Sequence, residues 1–325
     1  MCILCDSLAG QHHPSDEPHK DYKKHGDGIN DPKLVIDYDP LFSSVLGTGV
    51  NRRELLKWGG LGALAGLAPT SATFAQEKKW DPTIRIGYLP ITDAAALLVA
   101  HEMGFFKKEG LDSAPPTLIR GWSPLVEAFS AHKLNLAHLL IPVPIWMRYG
   151  NKFPIKITAW NHTNGSGIVV GKDSGINSPK DFGGKQFAIP FWYSIHNILL
   201  QKLLVANGLT AVTRPRGSSI AANEVNLVVL PPAEMVSALA GKGIAGFIVA
   251  DPFNAAAEIN GVGKVLRFSG DVWKDHACCV TFLAERDIAE RPQWAQRVTT
   301  AIVKAQLWTR SNQLDAAKLL ATSGD

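Results

Sequence analysis

From Ile84 onward the chain alternates short β-prone runs with capped helical runs, and this alternation limits the possible folds more than any other feature. Ile84-Arg85-Ile86-Gly87-Tyr88-Leu89 has strand periodicity. Pro90, Thr92 and Asp93 then supply a turn and a helix cap ahead of AAALLVAHEM, which Gly104 stops. The unit repeats: TLIRG reads as a strand, Ser123 caps and Pro124 opens the helix LVEAFSAH, and Leu136 to Ile141 form the next strand. IKITAW and GIVVGKD follow as strands. A second series then runs KQFAIP, the helix IHNILLQKLLVANG, VNLVVLPP, the helix AEMVSALAGKG, IAGFIVADP and the helix NAAAEING. Strands that alternate with helices in this way demand parallel sheets flanked by helices, an α/β fold.

The alternation starts late because another signal precedes it. NRRELLKWGG, beginning at residue 51, leads into LGALAGLAPTSATFAQ, so Arg52, Arg53 and Lys57 stand before a weakly apolar, glycine-rich run. That is the layout of a secretory signal. A membrane span needs about twenty strongly apolar residues, and this run is interrupted by Gly59, Gly60, Gly62, Gly66 and Pro69. The arginine pair followed by Glu54-Leu55-Leu56-Lys57 resembles the twin-arginine export signal, an address read by a receptor. Thr73-Phe74-Ala75 provides a cleavage site and Gln76 the expected mature N-terminus. Residues 1–50 are polar, poor in core formers and expected to be disordered. There, Cys2 and Cys5 with His12, His13, His19 and His25 leave open a metal site, a lead removed with the signal, or a start that belongs nearer the arginines.

Without lead and signal about 250 residues remain, enough for two α/β lobes. The formal net charge of +4 comes from scattered lysines and arginines, and no basic patch suggests nucleic acid. The exported part keeps only Cys278 and Cys279. Neighbours on a strand point to opposite faces, so both read as buried strand residues rather than a redox pair.

In open parallel sheets ligands bind beyond the carboxyl ends of strands, at helix N-termini. Those positions hold Pro90, Thr92, Asp93, Trp122, Ser123 and Pro142 in the first series. The second series offers Phe191, Trp192, Tyr193, Ser194, His196, Pro231, Pro232, Asp251, Pro252 and Asn254, and WKDHACC adds Lys274 and His276. Aromatic walls with a few donors suit a small buried ligand. His101, His132 and His138 fall away from this mouth and receive no role.

IRIGYLPITDAAALLVAHEMGFFKKEGL and VVLPPAEMVSALAGKGIAGFIVADPFNAAA resemble segments of the nitrate/sulfonate/bicarbonate-type substrate-binding proteins of ABC importers, across nearly all of residues 84–310. The resemblance implies a two-lobed, type II periplasmic-binding-protein-like fold with its ligand cleft between lobes. Lobe one would span 76–177, lobe two 178–276, and 277–325 would return to lobe one, where the family normally continues further. It also implies that Trp122, His196 and Lys274 hold a small anion, with Asn164 where such binders place a glutamine. A lysine, a histidine and helix N-termini can replace the water around an oxyanion.

The expected protein is a periplasmic, non-enzymatic receptor without cofactor or metal. It closes by hinge motion and delivers a small anion to the membrane subunits of an ABC importer after export by the twin-arginine machinery. Two alternatives share the fold: an enzyme resembling thiamine-pyrimidine synthases, which use histidine and lysine with pyridoxal phosphate, and a sensory binding module. No GxSxG, HExxH or Walker A motif stands in a supporting context.

Overall fold

The computed structural model describes residues 82–215 and 217–322. The lead with Cys2 and Cys5, the Arg52-Arg53 signal and the cleavage point after Ala75 lie outside them.

The alternating run makes β1 (Ile86–Tyr88), and a 3-10 turn over Thr92–Ala94 leads into α1 (Ala95–Glu102). Gly104, at φ 65°, takes the left-handed conformation that ends α1 and opens α2 (Phe105–Lys108). There follow β2 (Thr117–Leu118), α3 (Trp122–Ser130), β3 (Leu136–Leu140), α4 (Pro142–Tyr149) and β4 (Ile155–Thr163). The second half runs β5 (Ser166–Gly171), β6 (Lys185–Ile189), α5 (Ile195–Ala206), β7 (Thr210–Val212), β8 (Glu224–Val229), α6 (Pro232–Ala240), β9 (Gly246–Ala250), α7 (Phe253–Ile259), β10 (Gly263–Phe268) and α8 (Ser269–Val272). The chain ends through β11 (Ala277–Ala284), α9 (Glu285–Glu290), α10 (Pro292–Ser311) and α11 (Gln313–Thr322). Among the described residues no helix is long and apolar enough to cross a membrane.

Two sheets result, one in the order β2-β1-β3-β11-β4 and one in the order β10-β5-β9-β6-β8-β7. The expectation of parallel sheets needs correction. The βα units do pair in parallel, β1 with β2 and β3, and β6 with β8 and β9. However, β11 runs antiparallel to β3 and β4, and β5 antiparallel to β9 and β10. These are the strands that carry the chain from one lobe to the other or flank such a passage, so they enter their sheets from the opposite end.

The first crossing lies at Asn164-Gly165, both at positive φ (59° and 82°). β4 belongs to the first sheet and β5 to the second, so the chain changes sheets here. The second crossing leads from α8 to β11. The two are tied side by side, since the Asn164 amide donates to the His276 carbonyl at 3.0 Å.

Each lobe has its own core. In lobe one Ile84, Ile86, Leu97, Leu136 and Leu283 meet Val298, Ala301 and Ile302 of α10. In lobe two Val169, Ala188, Met235, Leu239 and Phe247 pack together.

Candidate functional site

Beside the passage between the lobes lies a buried polar cluster, called the floor below. Asp93 sits in the turn after β1, only 4% exposed, and its Oδ1 lies 3.1 Å from Nε2 of His162 near the end of β4. Its Oδ2 accepts from the Cys279 thiol at 3.2 Å and, more weakly, from the Cys278 thiol at 3.6 Å.

Two neighbouring cysteines on a regular strand could not both reach one carboxylate, and here the expectation of opposite faces is overturned. The ladder between β11 and β4 slips on either side of Cys279: Ala277 pairs with Thr163, Cys279 with His162 and Val280 with Trp160. Cys278 and Asn161 are thereby left as extra residues on their strands. Bulges of this kind re-aim side chains, and this one turns both sulfurs toward Asp93.

Burial pushes the Asp93 carboxyl up to about 6, against the pull of His162. Burial also opposes charge on His162, but Asp93 and then the Cys278 sulfur outweigh it and hold the imidazole well above its usual range. At Cys278, burial disfavours the thiolate, yet the hydrogen bond from Cys279 and the His162 charge carry the thiol well below its ordinary value. Cys279 moves the other way, raised by burial and by its neighbour. The cluster therefore gathers an imidazole, a carboxyl and two thiols whose proton affinities are displaced by burial and by one another.

Around this floor stand groups that also lack protein partners. His138 of β3 is fully buried with neither ring nitrogen bonded, and burial lowers it to about 3. His196, in the first turn of α5, meets Ser166 Oγ at 2.8 Å through Nε2 while its Nδ1 has no partner; burial lowers it to about 4. The same Ser166 hydroxyl lies 3.9 Å from the Cys278 sulfur, which links lobe two to the floor. Ser194 caps α5 by accepting from the Asn197 amide at 3.0 Å and so fixes that first turn.

Across the seam, Trp122 at the start of α3 stacks on Phe191, 6.3 Å between centroids, and its buried Nε1 has no partner. Trp146 of α4 stacks on Tyr193 at 4.6 Å. The Thr92 amide donates to the Asp251 carbonyl at 2.9 Å, so the turn carrying Asp93 is held from the other lobe.

Thus Thr92, Asp93, Trp122, Tyr193, His196 and Asp251 lie where elements of the two lobes meet. Asn164 belongs to the crossing, with its Oδ1 unpartnered. Trp192 is half-buried and uses its carbonyl to accept from Asn197 Nδ2 at 3.0 Å. Lys274 is exposed on the segment before β11, and Pro231 is exposed at the head of α6. His138, read from the sequence as remote from the mouth, lies instead beside the Asp93 backbone at the floor. Sequence reasoning also passed over His162, Ser166, Cys278 and Cys279. One available signal was His276-Ala277-Cys278-Cys279, three potential metal-ligand residues within four positions.

Residues 77–322 match the model of the NMT1-like family. The nitrate/nitrite binding protein NrtA of Nostoc sp. PCC 7120 is 28% identical over 243 residues, 69% of this chain and 53% of the relative. The chain thus spans about half the length of that curated relative. A solved ligand-binding component of an ABC-type import system from Staphylococcus aureus, named with zinc bound, shares 26% identity at a TM-score of 0.62 and covers 75% of this chain and 80% of its own. The periplasmic nitrate-binding protein NrtA from Synechocystis PCC 6803 has a TM-score of 0.66 at 24% identity over 74% of this chain and 66% of that one. This last likeness shows the periplasmic-binding-protein-like α/β fold, two lobes built on two mixed sheets. With the family model matched over most of its length, the chain belongs to the NMT1-like family.

Proposed function

We propose that the protein is the solute receptor of an ABC-type importer and encloses a small anion of the nitrate, bicarbonate or sulfonate class between its lobes. One observation carries the reading: two buried donors without protein partners, Trp122 Nε1 and His196 Nδ1, stand in the first turns of helices from opposite lobes. An indole N–H, an imidazole N–H and two helix N-termini are the groups that desolvate a small oxyanion. The relative named for nitrate supports the anion class, and the structure named for an import system supports the receptor role alone.

Isothermal titration of the full chain with nitrate, bicarbonate and a short alkylsulfonate tests it. Trp122→Ala and His196→Ala each remove one partner from a desolvated ligand, a loss of about 1 to 3 kcal/mol, or roughly ten- to a hundredfold in affinity. Affinity unchanged in both variants overturns the assignment. Lys274, being exposed, is expected to matter less than either.

Export by the twin-arginine route belongs to the same proposal and rests on Arg52-Arg53 and the run that follows. Mass spectrometry of the exported protein is expected to find an N-terminus at Gln76. An exported form that still carries Cys2 and Cys5 would overturn it.

A further inference from the structure

The geometry points to a metal site that the solute reading does not require: Asp93, His162, Cys278 and Cys279 form a four-ligand centre on lobe one for a thiophilic divalent ion of the zinc type. Two sulfurs, one imidazole and one carboxylate are the donor set that such an ion selects. Their ligand atoms all lie within 4.8 Å of one another, with individual separations of 3.1, 3.2 and 3.6 Å. Bonds of about 2.0 to 2.3 Å place tetrahedral ligands roughly 3.3 to 3.8 Å apart, so the three close pairs need adjustments of only a few tenths of an ångström, and a pair at the 4.8 Å limit about one ångström.

Three further observations agree. The bulge at Cys278 has no role in joining β11 to β4, since it interrupts their ladder, but it is what brings the second sulfur to the carboxylate. Asp93 Oδ1 and His162 Nε2 approach to 3.1 Å without the alignment of a hydrogen bond, His162 Nδ1 is buried with no partner, and unmade bonds in a dry site are expensive. Finally, three groups that can each carry a negative charge are buried together, and a dication offsets that charge where no lysine or arginine is buried among the described residues. All four ligands come from lobe one, so the ion binds before the lobes close and independently of the solute. His196 and Ser166 of lobe two approach this centre at the Cys278 sulfur.

The test uses the full chain with Cys2→Ser and Cys5→Ser, which leaves Cys278 and Cys279 as the only thiols. Reduced, metal-stripped protein is titrated with cobalt(II) and then zinc. The expected result is one cobalt per chain with a thiolate-to-cobalt charge-transfer band and intense tetrahedral visible bands, both abolished by zinc. Cys278→Ser and Cys279→Ser are each expected to weaken binding by at least the roughly 10- to 100-fold that outer-shell changes cause. Absence of the charge-transfer band in the parent at excess cobalt overturns the site without recourse to any variant. So does an unchanged spectrum in the variant that combines Cys278→Ser with Cys279→Ser. Anion titration of the same stripped protein reads the receptor proposal separately, so either can fail alone.

Discussion

Asp93→Ala is expected to lose about 3 to 5 kcal/mol of folding free energy in metal-free buffer, the range for removing one member of a buried ion pair. The carboxylate is the hub of the floor: it faces His162 at 3.1 Å and accepts from both thiols. Its side chain is 1% exposed and that of His162 is 14% exposed, so water cannot take its place. Alanine takes the carboxylate from His162, whose larger favourable partner it is, and leaves two thiols without their acceptor. Asp93→Asn keeps the shape and one acceptor oxygen but not the charge, and should fall between parent and alanine. Urea unfolding checks this as a shift of midpoint at constant slope. A loss below about 1 kcal/mol, the scale of exposed pairs, would show that the pair carries no buried charge.

A loss of similar size, by a different mechanism, is expected for Phe282→Ala. Phe282 is fully buried on β11, the strand between β3 and β4, and meets Phe129 of α3 edge-on at 4.7 Å between centroids. Deleting the ring removes its transfer free energy and leaves a cavity that a sheet hydrogen-bonded on both sides cannot collapse to fill, about 3 to 5 kcal/mol. Phe282→Leu fills most of that space and should lose far less. The two positions separate in their second readout: Asp93→Ala should abolish the cobalt spectrum, whereas folded Phe282→Ala should retain it. A stable Phe282→Ala would mean that α3 moves inward to close the gap.

Local punctuation was legible only in part. Gly104 ends its helix as read, but α1 and α3 open at Ala94 and Gly121 without a side-chain cap, so the caps expected at Thr92 and Asp93 and at Ser123 are not made, and Pro124 lies inside α3 instead of opening it. The direction of β5 and β11 was not legible, because periodicity describes the face of a strand and not which end of the sheet it enters. His138 was misread for a related reason. All five residues of β3 are buried, since the strand lies between β1 and β11, so no alternation marked the face its imidazole occupies. The floor was hidden for a third: Cys278 and Cys279 share a carboxylate only because the ladder slips there, and a slip depends on pairing between strands more than a hundred residues apart.

The aromatic pairs at the seam give the molecule an optical property. Two of its nine tryptophans, Trp122 and Trp146, rest against rings of the opposite lobe, Phe191 and Tyr193. Indole emission shifts with the polarity of its surroundings, and Trp122 is 4% exposed while the lobes meet. Separating them would wet one indole and strip the other of its stacking partner at the same moment. The chain therefore carries its own fluorophores at a place where a change of lobe spacing would alter their environment, so solute capture can be followed in the native protein without a label.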